Sequence, residues 1–226
     1  MAKEKKISIV LVEDDSFLAN IYQTKFEMEG FDIAVALQEG AGAIDAVEVN
    51  GETITAERIL VAVGGWPSVP EIPGREHVIT SNEFFFMDAL PKRVIVVGGG
   101  YIAVELAGVL NGLGSQVTQL YRGPHFLRGF DDDVRHFLAG EIRKKGIDLR
   151  FNANIAKVDK RENGILVATL EDGSTMEADT ILYATGRAPN TAGLGLEDAG
   201  VELAQDGAIA RDSPGTMAGA SETSHS

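Results

Sequence analysis

Three small residues at the spacing G-x-G-x-x-A are the clearest chemical signal in this sequence. Gly98, Gly100 and Ala103 follow a β-branched run at residues 94–97, and an apolar stretch of small residues continues over residues 102–110. Such a run is typical of a strand buried on both faces of a parallel sheet, and the stretch after it has the composition of a helix. Glycines in a strand-to-helix turn let bare backbone approach a pyrophosphate, and the helix N-terminus offers unpaired N–H groups. The pattern therefore predicts a dinucleotide site.

The residue type at the end of the next predicted strand distinguishes between two dinucleotides. That strand covers residues 116–121, and its end lies roughly 20 residues beyond the first glycine, where an NAD site carries Asp or Glu to hold the ribose hydroxyls. This chain has Arg122 there and Arg128 shortly after it. Two guanidinium groups match a 2′-phosphate, to which charge-assisted hydrogen bonds contribute roughly 1.5–3 kcal/mol each. The pair predicts NADP(H) rather than NAD(H); the alternative is two solvated loop charges paired with the carboxylates at residues 131–133.

A longer set of segments resembles the NADPH-binding part of glutathione reductase and its relatives among the pyridine nucleotide–disulfide oxidoreductases. The resemblance extends over residues 44–212. Besides the turn at Gly98, the segments that carry it are ILVAVGGWP (59–67), IPG (72–74), VITSNE (78–83), YRG (121–123), LRGFD (127–131) and YATGRAPN (183–190). It implies a nucleotide domain in which the loop after the last parallel strand faces the same crevice as the glycine turn, since ligands of open α/β sheets lie beyond the carboxyl ends of the strands.

The resemblance also implies roles for residues around the turn. Tyr101 takes the position of the side chain that covers the flavin until the nicotinamide arrives, and Glu105 lies near the nicotinamide amide. Their alternatives are a tyrosine that packs on the sheet and a glutamate at the helix surface. The backbone of Gly186 would approach the nicotinamide nucleotide. The predicted cofactor-binding set is Gly98, Gly100, Tyr101, Ile102, Ala103, Glu105, Arg122, Arg128 and Gly186, and no catalytic or metal-ligating residue is predicted.

The sequence contains no cysteine. A disulfide, a thiolate nucleophile and a cysteine-bound metal are therefore excluded from this chain. The resembled enzymes work through a redox-active cysteine pair next to a flavin, so the resemblance implies their nucleotide site without their disulfide chemistry. We expect an NADP(H)-binding module of a glutathione reductase-like flavin oxidoreductase that lacks complete disulfide-reductase activity. Whether it is an enzyme by itself is left open.

The first part of the chain has a different character. Residues 5–37 are predicted to form a βαβ unit and resemble the start of a response-regulator receiver domain, with Glu13, Asp14 and Asp15 after the first strand. In that family such a cluster binds Mg²⁺ beside a phospho-accepting Asp, but no later strand here ends in that acceptor, and Asp45 is only loosely in the expected region. Carboxylates at this turn would repel a pyrophosphate, so FAD is not expected to bind in the manner of the flavin family.

Two hypotheses stand beside NADP(H) binding. The chain looks like a chimera of two families, and the first hypothesis is a signalling or phosphotransfer module that would use Glu13, Asp14 and Asp15 with phosphate and Mg²⁺. The other hypothesis is a chimeric scaffold that folds and binds no ligand, because the dinucleotide site needs a flavin domain to hold its geometry.

The charge and hydropathy of the whole chain exclude several other classes. A chain of 226 residues with 44% hydrophobic and 24% charged residues can form one large or two small cores. Its net charge of −14 opposes binding to nucleic acid or to a membrane surface. No window reaches the roughly 18 apolar residues of a membrane span, and the start of the chain lacks the pattern of a signal peptide. We expect a cytoplasmic protein whose partner is a small-molecule dinucleotide; the oligomeric state is left open.

These elements predict an α/β fold, with a Rossmann-like parallel sheet, an antiparallel β-meander, and a smaller N-terminal βαβ packed on a β-hairpin and strand. After the strand at 116–121 we expect a helix (132–145), a parallel strand (147–151), three meander strands (154–159, 164–170 and 175–178) and a returning strand (180–184). The predicted domains are a receiver-like βαβ (1–37), the meander and crossing segment of a truncated FAD-type domain (38–90), an NADP(H)-binding Rossmann domain (91–190), a truncated return segment (191–212) and a disordered tail (213–226).

Overall fold

The computed structural model describes residues 8–12, 16–29, 32–36, 46–49, 52–55, 58–213 and 216–217. The chain divides into two compact units. The first contains Met1–Trp66 and Ala188–Ser226, and the second contains Pro67–Arg187. Every residue of the predicted dinucleotide site belongs to the second unit.

The first unit contains the predicted βαβ and hairpin. Its elements are β1 (Ser8–Val12), α1 (Ser16–Met28), β2 (Asp32–Ala36), β3 (Ala46–Val49), β4 (Glu52–Thr55) and β5 (Arg58–Val61). A parallel sheet has the order β2-β1-β5, and β3 pairs with β4 in antiparallel register. Leu11 in the central strand is fully buried. The predicted packing of the βαβ on the following strand is confirmed, because β1 hydrogen-bonds directly to β5.

Two strands carry the chain between the units, and the first of them is β6 (Gly65–Pro67). The second unit then starts with a single 3-10 turn at Arg75–His77 and the short helix α2 (Ser81–Phe84). Thr80 and Glu83 form a reciprocal capping box that fixes the start of α2. Residue Ile79 bonds through its backbone to residues of the returning strand, which ties this segment to the main sheet.

The second unit is a parallel sheet with helices on one face and a meander on the other. Its remaining elements are β7 (Arg93–Val97), α3 (Tyr101–Gly112), β8 (Gln116–Tyr121), α4 (Asp132–Lys144), β9 (Asp148–Phe151), β10 (Ile155–Lys160), β11 (Leu166–Leu170), β12 (Thr175–Ala178) and β13 (Thr180–Tyr183). The parallel strands have the order β13-β7-β8-β9, and β10-β11-β12 form the antiparallel meander. These bounds agree with the predicted elements to within the few residues by which helix and strand ends differ.

Strand β7 lies at the centre of the second unit. Val94 and Val96 pack into the core under α3 and α4, whereas Ile95 and Val97 pack into the core under the meander. All four side chains are nearly inaccessible to solvent. An apolar strand covered on both faces is the environment that its unbroken β-branched run predicts. The carboxyl end of β7 is therefore held rigidly at the point where the glycine turn begins.

An ion pair closes the sheet at the opposite end of β7. Asp179, just before β13, accepts hydrogen bonds from the Arg93 backbone N–H (2.8 Å) and from its guanidinium Nη2 (3.0 Å). Burial opposes the charged form of Asp179, but the hydrogen bonds from Arg93 outweigh it and lower the pKa of the carboxyl. The pair fixes the register between β13 and β7 at the amino ends of both strands.

The chain leaves the second unit through β14 (Arg187–Pro189). Beyond it, β15 (Arg211–Ser213) and β16 (Thr216–Met217) form a short antiparallel pair within the first unit. The other residues of the predicted tail, 214–215 and 218–226, lie outside the described residues.

Candidate dinucleotide-binding site

Gly98 occupies a position that admits no side chain. Its φ is +148°, and a Cβ built there would lie 2.2 Å from the carbonyl oxygen of Ala184, which follows β13. The Gly98 N–H donates to the Leu120 carbonyl (2.9 Å) at the end of β8. The glycine therefore lets the carboxyl ends of three parallel strands converge. This is the edge of a parallel sheet at which ligands bind.

Gly100 has the opposite surroundings. It is exposed and forms the N-cap of α3 with an extended backbone, and no side chain caps the helix there in the described part of the chain. No heavy atom lies within 4 Å of the position that its Cβ would take. Among the described residues, the N–H groups of residues 101–103 at the start of α3 have no hydrogen-bond acceptor. They carry the positive end of the helix dipole, which is the arrangement that binds a phosphate.

The other predicted residues of α3 divide between packing and exposure. Ala103 is fully buried, and a Cβ on Gly98 would lie 3.1 Å from its methyl group, so only small residues let α3 begin this close to β7. Ile102 is half-buried against the core under the helices. Tyr101 is 59% exposed, and Glu105, one turn further along, is exposed as well. Both polar side chains are accessible to a ligand bound over the helix N-terminus.

The loop that carries the two arginines lies against the glycine turn. It connects β8 to α4 and contains Arg122 and Arg128. The Leu127 N–H donates a 2.6 Å hydrogen bond to the Gly99 carbonyl, and the Leu127 side chain is buried. Phe126 beside it is fully buried. Arg128 is thus the chain neighbour of Leu127, the residue that bonds directly to the glycine turn.

Neither arginine side chain has a partner within the described residues. Arg122 and Arg128 are exposed, and neither makes a hydrogen bond or ion pair with the carboxylates at residues 131–133 in that part of the chain. Asp131 instead accepts from the Asp133 and Val134 N–H groups as the N-cap of α4. Asp132 pairs with Arg135. The alternative that these carboxylates neutralise the two arginines is therefore not observed.

Two residues at the site were missed by sequence reasoning. The Tyr121 ring packs so closely that a Cβ on Gly99 would lie 2.4 Å from it and one on Gly123 2.7 Å. Gln119 is fully buried and donates from Nε2 to the Gly98 carbonyl (3.1 Å). Gln119 had a signal in the sequence, as an amide side chain inside a predicted strand, whereas the contact of Tyr121 with Gly99 depends on the pairing of β7 with β8.

Gly186 lies in the loop that follows β13, two residues after Ala184, whose carbonyl approaches Gly98. Its φ is +152°, it is exposed, and no heavy atom lies within 4 Å of the position that its Cβ would take. Its carbonyl accepts from the Ser68 N–H (2.9 Å), and the Thr185 hydroxyl donates to the Ser68 carbonyl (2.8 Å). These two hydrogen bonds to Ser68 fix the loop, while the space around the Gly186 Cα stays open.

The acidic cluster is not part of the described structure. Glu13, Asp14 and Asp15 lie outside the described residues, as do Asp45 and His225. Among the residues that are described, no group of three His, Cys, Asp or Glu side chains is placed to hold a metal ion. In the same part of the chain, no helix is long and apolar enough to cross a membrane.

Comparison with known proteins gives matches along most of the chain. The family model described as "Pyridine nucleotide-disulphide oxidoreductase" matches residues 5–219. Glutathione reductase of Burkholderia cepacia is 44% identical over 195 residues, which cover 86% of this chain and 43% of that protein. Trypanothione reductase of Trypanosoma congolense is 41% identical over 181 residues, covering 79% of this chain and 36% of that protein. The solved structure of the HOCl-induced flavoprotein disulfide reductase RclA from Escherichia coli has a TM-score of 0.78 at 29% identity, over 90% of this chain and 47% of that one.

These matches bear on both parts of the sequence interpretation. The chain spans less than half of the length of these relatives. The family match begins at residue 5 and so includes β1, α1 and β2, the elements for which the sequence suggested a receiver domain. The chimeric origin accordingly stays a hypothesis. The resemblance to glutathione reductase, in contrast, is confirmed by the family model, by the relatives and by the fold. The chain belongs to the pyridine nucleotide-disulphide oxidoreductase family.

Proposed function

We propose that the second unit binds NADP(H), with the pyrophosphate at the N-terminus of α3 and the adenosine 2′-phosphate on the loop after β8. The observation that carries this proposal is the Leu127–Gly99 hydrogen bond, which joins the arginine loop to the glycine turn. A phosphate at the turn and a second phosphate at the loop then belong to one ligand. NADP(H) is a dinucleotide that carries both groups.

The pyrophosphate fits the open helix N-terminus. Apart from its chain neighbours, no heavy atom lies within 4 Å of the position that a Gly100 Cβ would take, and Gly98 lets the turn come close to β13. The N–H groups of that turn donate to phosphate oxygens and lie at the positive end of the helix dipole. These residues bind and orient the dinucleotide, and they make no covalent change in it.

The arginine pair supplies the preference for the phosphorylated cofactor. Arg122 and Arg128 are exposed and, among the described residues, are not engaged by a carboxylate. A ribose without the 2′-phosphate would offer neither arginine a negative charge. Each charge-assisted hydrogen bond to the phosphate contributes roughly 1.5–3 kcal/mol, so loss of one bond weakens binding about tenfold or more.

The nicotinamide end is assigned to the exposed side of the same turn. NADPH supplies a hydride when bound, and Tyr101, Glu105 and the backbone of Gly186 would orient the nicotinamide ring for its transfer. We infer that this chain by itself does not carry out complete disulfide reduction, because its sequence contains no cysteine. FAD is not part of this proposal. Its predicted exclusion rests on carboxylates at residues 13–15, which lie outside the described residues.

The net charge of the chain bears on the class of its partner. A net charge of −14 favours a small-molecule partner over nucleic acid or an anionic membrane, and a cytoplasmic location remains our expectation.

The alternative function, a phosphate- and Mg²⁺-dependent receiver-like module, predicts a response to a phosphate analogue with Mg²⁺. Our proposal predicts no response in that titration.

Amide NMR spectra of the ¹⁵N-labelled chain, recorded during titration with NADP⁺, test the proposal residue by residue. We expect shifts at Gly98, Gly100, Arg122 and Arg128, with Gly186 following. The amides of β11 in the meander serve as an internal control and should stay in place. Saturable shifts confined to other residues would overturn the assignment, and so would the absence of any shift in a well-dispersed spectrum.

A further inference from the structure

We propose that Arg135 is a positioning residue, which holds the loop between Arg122 and Arg128 in the conformation that recognises a 2′-phosphate. The inference rests on the NADP(H) function proposed above and adds a residue on which its specificity depends indirectly. Arg135 lies in the first part of α4, and its side chain is only 16% exposed.

The guanidinium of Arg135 binds two successive carbonyl groups of the loop. Its Nε donates to the Phe126 carbonyl (2.7 Å), and its Nη2 donates to the His125 carbonyl (3.0 Å). Its Nη1 pairs with the Asp132 carboxylate in the same helix, which fixes the direction of the side chain. A planar guanidinium can make these three contacts at once, because its donors have a fixed geometry that an ammonium group lacks.

The held segment carries backbone strain. Leu127 has a φ of +53°, which a leucine rarely adopts, and such conformations persist only where the surroundings fix them. The Leu127 N–H is bound by the Gly99 carbonyl, and the carbonyl of the preceding residue, Phe126, is bound by Arg135. Both contacts are made to the peptide group that joins Phe126 to Leu127, so they fix the orientation of the backbone directly before the strained residue. Arg128 is the next residue in the chain.

Arg135 acts through the loop and not on the ligand. Three of its donors are used inside the protein, and its side chain is mostly buried, whereas Arg122 and Arg128 are exposed. Loss of the Arg135 contacts would release the Phe126 and His125 carbonyls and let Leu127 relax. The position of Arg128 would then spread, and the 2′-phosphate would lose one of its defined partners. Arg122 would stay in place, because the carbonyls of its two chain neighbours accept hydrogen bonds from the backbone at residues 152–153. The glycine turn that binds the pyrophosphate would remain.

Loss of the Arg135 contacts should therefore weaken binding of the 2′-phosphate and leave binding of the 5′-phosphate nearly unchanged. We would titrate the full chain with adenosine 2′,5′-bisphosphate and with adenosine 5′-monophosphate, which differ only by the 2′-phosphate. Arg135→Gln should weaken the bisphosphate about tenfold and the monophosphate less than about twofold, since at least one charged hydrogen bond is lost from the first ligand only. Arg135→Lys keeps the charge without the fork, and we expect nearly the same loss.

Lys144→Gln is the matched control. It removes one positive charge from the same helix, and its exposed side chain pairs with Glu141 rather than with the loop. It should leave both affinities unchanged. Thermal melts of all variants accompany the titrations, and Arg135→Lys is the second variant should Arg135→Gln fail to fold.

The outcomes separate this inference from the proposal beneath it. If the unaltered chain does not prefer the bisphosphate, the NADP(H) function itself is wrong. If the unaltered chain prefers it and Arg135→Lys retains the full preference, Arg135 contributes charge only and the positioning role is overturned. The role is also overturned if both variants weaken the two ligands equally or fail to fold, because Arg135 is then a general structural residue.

Discussion

The backbone N–H of Leu127 donates a hydrogen bond of 2.6 Å to the carbonyl of Gly99. These residues belong to two different strand-to-helix connections, the turn between β7 and α3 and the loop between β8 and α4. The bond makes the two connections one surface, with an open helix N-terminus on one side and two exposed arginines on the other. The proposed NADP(H) site depends on this relationship.

The arginine pair gives the first prediction. Replacement of Arg122 and Arg128 by alanine should weaken NADPH binding by about a hundredfold and NADH binding by less than about threefold, because only NADPH offers a phosphate to both guanidinium groups. Dissociation constants for the two cofactors, measured by calorimetry on the same preparation, check it. An equal loss for both cofactors would contradict the 2′-phosphate assignment.

The two outer glycines of the turn should separate folding from binding. Gly98→Ala places a Cβ 2.2 Å from the Ala184 carbonyl oxygen at a φ of +148°, so it should lower the free energy of unfolding by about 2 kcal/mol or more. Gly100→Val has open space around its Cβ and a φ of −85°, so it should change stability by about 1 kcal/mol at most. It should nevertheless abolish the binding of both cofactors, because the side chain fills the pyrophosphate space. Chemical denaturation and titration of each variant provide the two readings; a Gly100→Val variant that still binds would sink the placement of the pyrophosphate.

The Arg93–Asp179 pair should matter for stability and not for cofactor choice. Asp179→Ala leaves the Arg93 backbone N–H without its side-chain acceptor where β7 and β13 begin, and we expect a loss of about 1–3 kcal/mol. Urea denaturation measures this loss. The ratio of NADPH to NADH affinity should stay unchanged, since the pair lies at the other end of the strands. A change in that ratio would show that the sheet transmits strain to the site.

His125 gives a prediction about pH. Its ring stacks on Phe126 and lies 4.1 Å from the ring of His136, and its Nδ1 has no partner among the described residues. Burial is the main cause that lowers the pKa of His125, with smaller electrostatic contributions from His136, Arg135 and Arg143, while Asp132 opposes the shift. The folded chain therefore binds this proton less readily than the unfolded chain, whose histidine titrates near 6.5.

The lowered pKa of His125 makes the folded chain less stable in acid. Stability from neutral His125 is complete above about pH 6.5 and is lost as the pH falls from there through the lower pKa of the folded state. The melting temperature should decrease over this range, and His125→Gln should flatten the decrease. A variant with the same pH profile as the unaltered chain would show that another group is responsible.

The sequence predicted the parts of the site that are local. The β-branched run, the G-x-G-x-x-A spacing and the helix after it are contiguous, so periodicity and composition were enough to place Gly98 and Gly100 at a strand-to-helix turn. The arginines were placed by their distance from that turn. The βαβ at the start of the chain was also predicted correctly as a set of elements. Its resemblance to a receiver domain rests on the acidic residues 13–15, which lie outside the described residues, and stays a hypothesis.

The remaining features depend on contacts between distant residues. Arg135 appeared in the sequence as one charged residue of the predicted helix 132–145, and only the fold shows that it binds the carbonyls of His125 and Phe126. The positive φ of Leu127 has no signal in sequence, because leucine does not favour that conformation. Tyr121 similarly needs Gly99 as a neighbour, and the two come together only when β7 and β8 pair.

The most direct test of the account is a pair of calorimetric titrations of the purified chain, one with NADPH and one with NADH. We predict saturable binding of NADPH with at least about a tenfold preference over NADH, the effect of one or more charged hydrogen bonds to the 2′-phosphate. Equal affinity for the two cofactors would contradict the role of Arg122 and Arg128. No binding of either cofactor by a chain that melts cooperatively would contradict the site altogether.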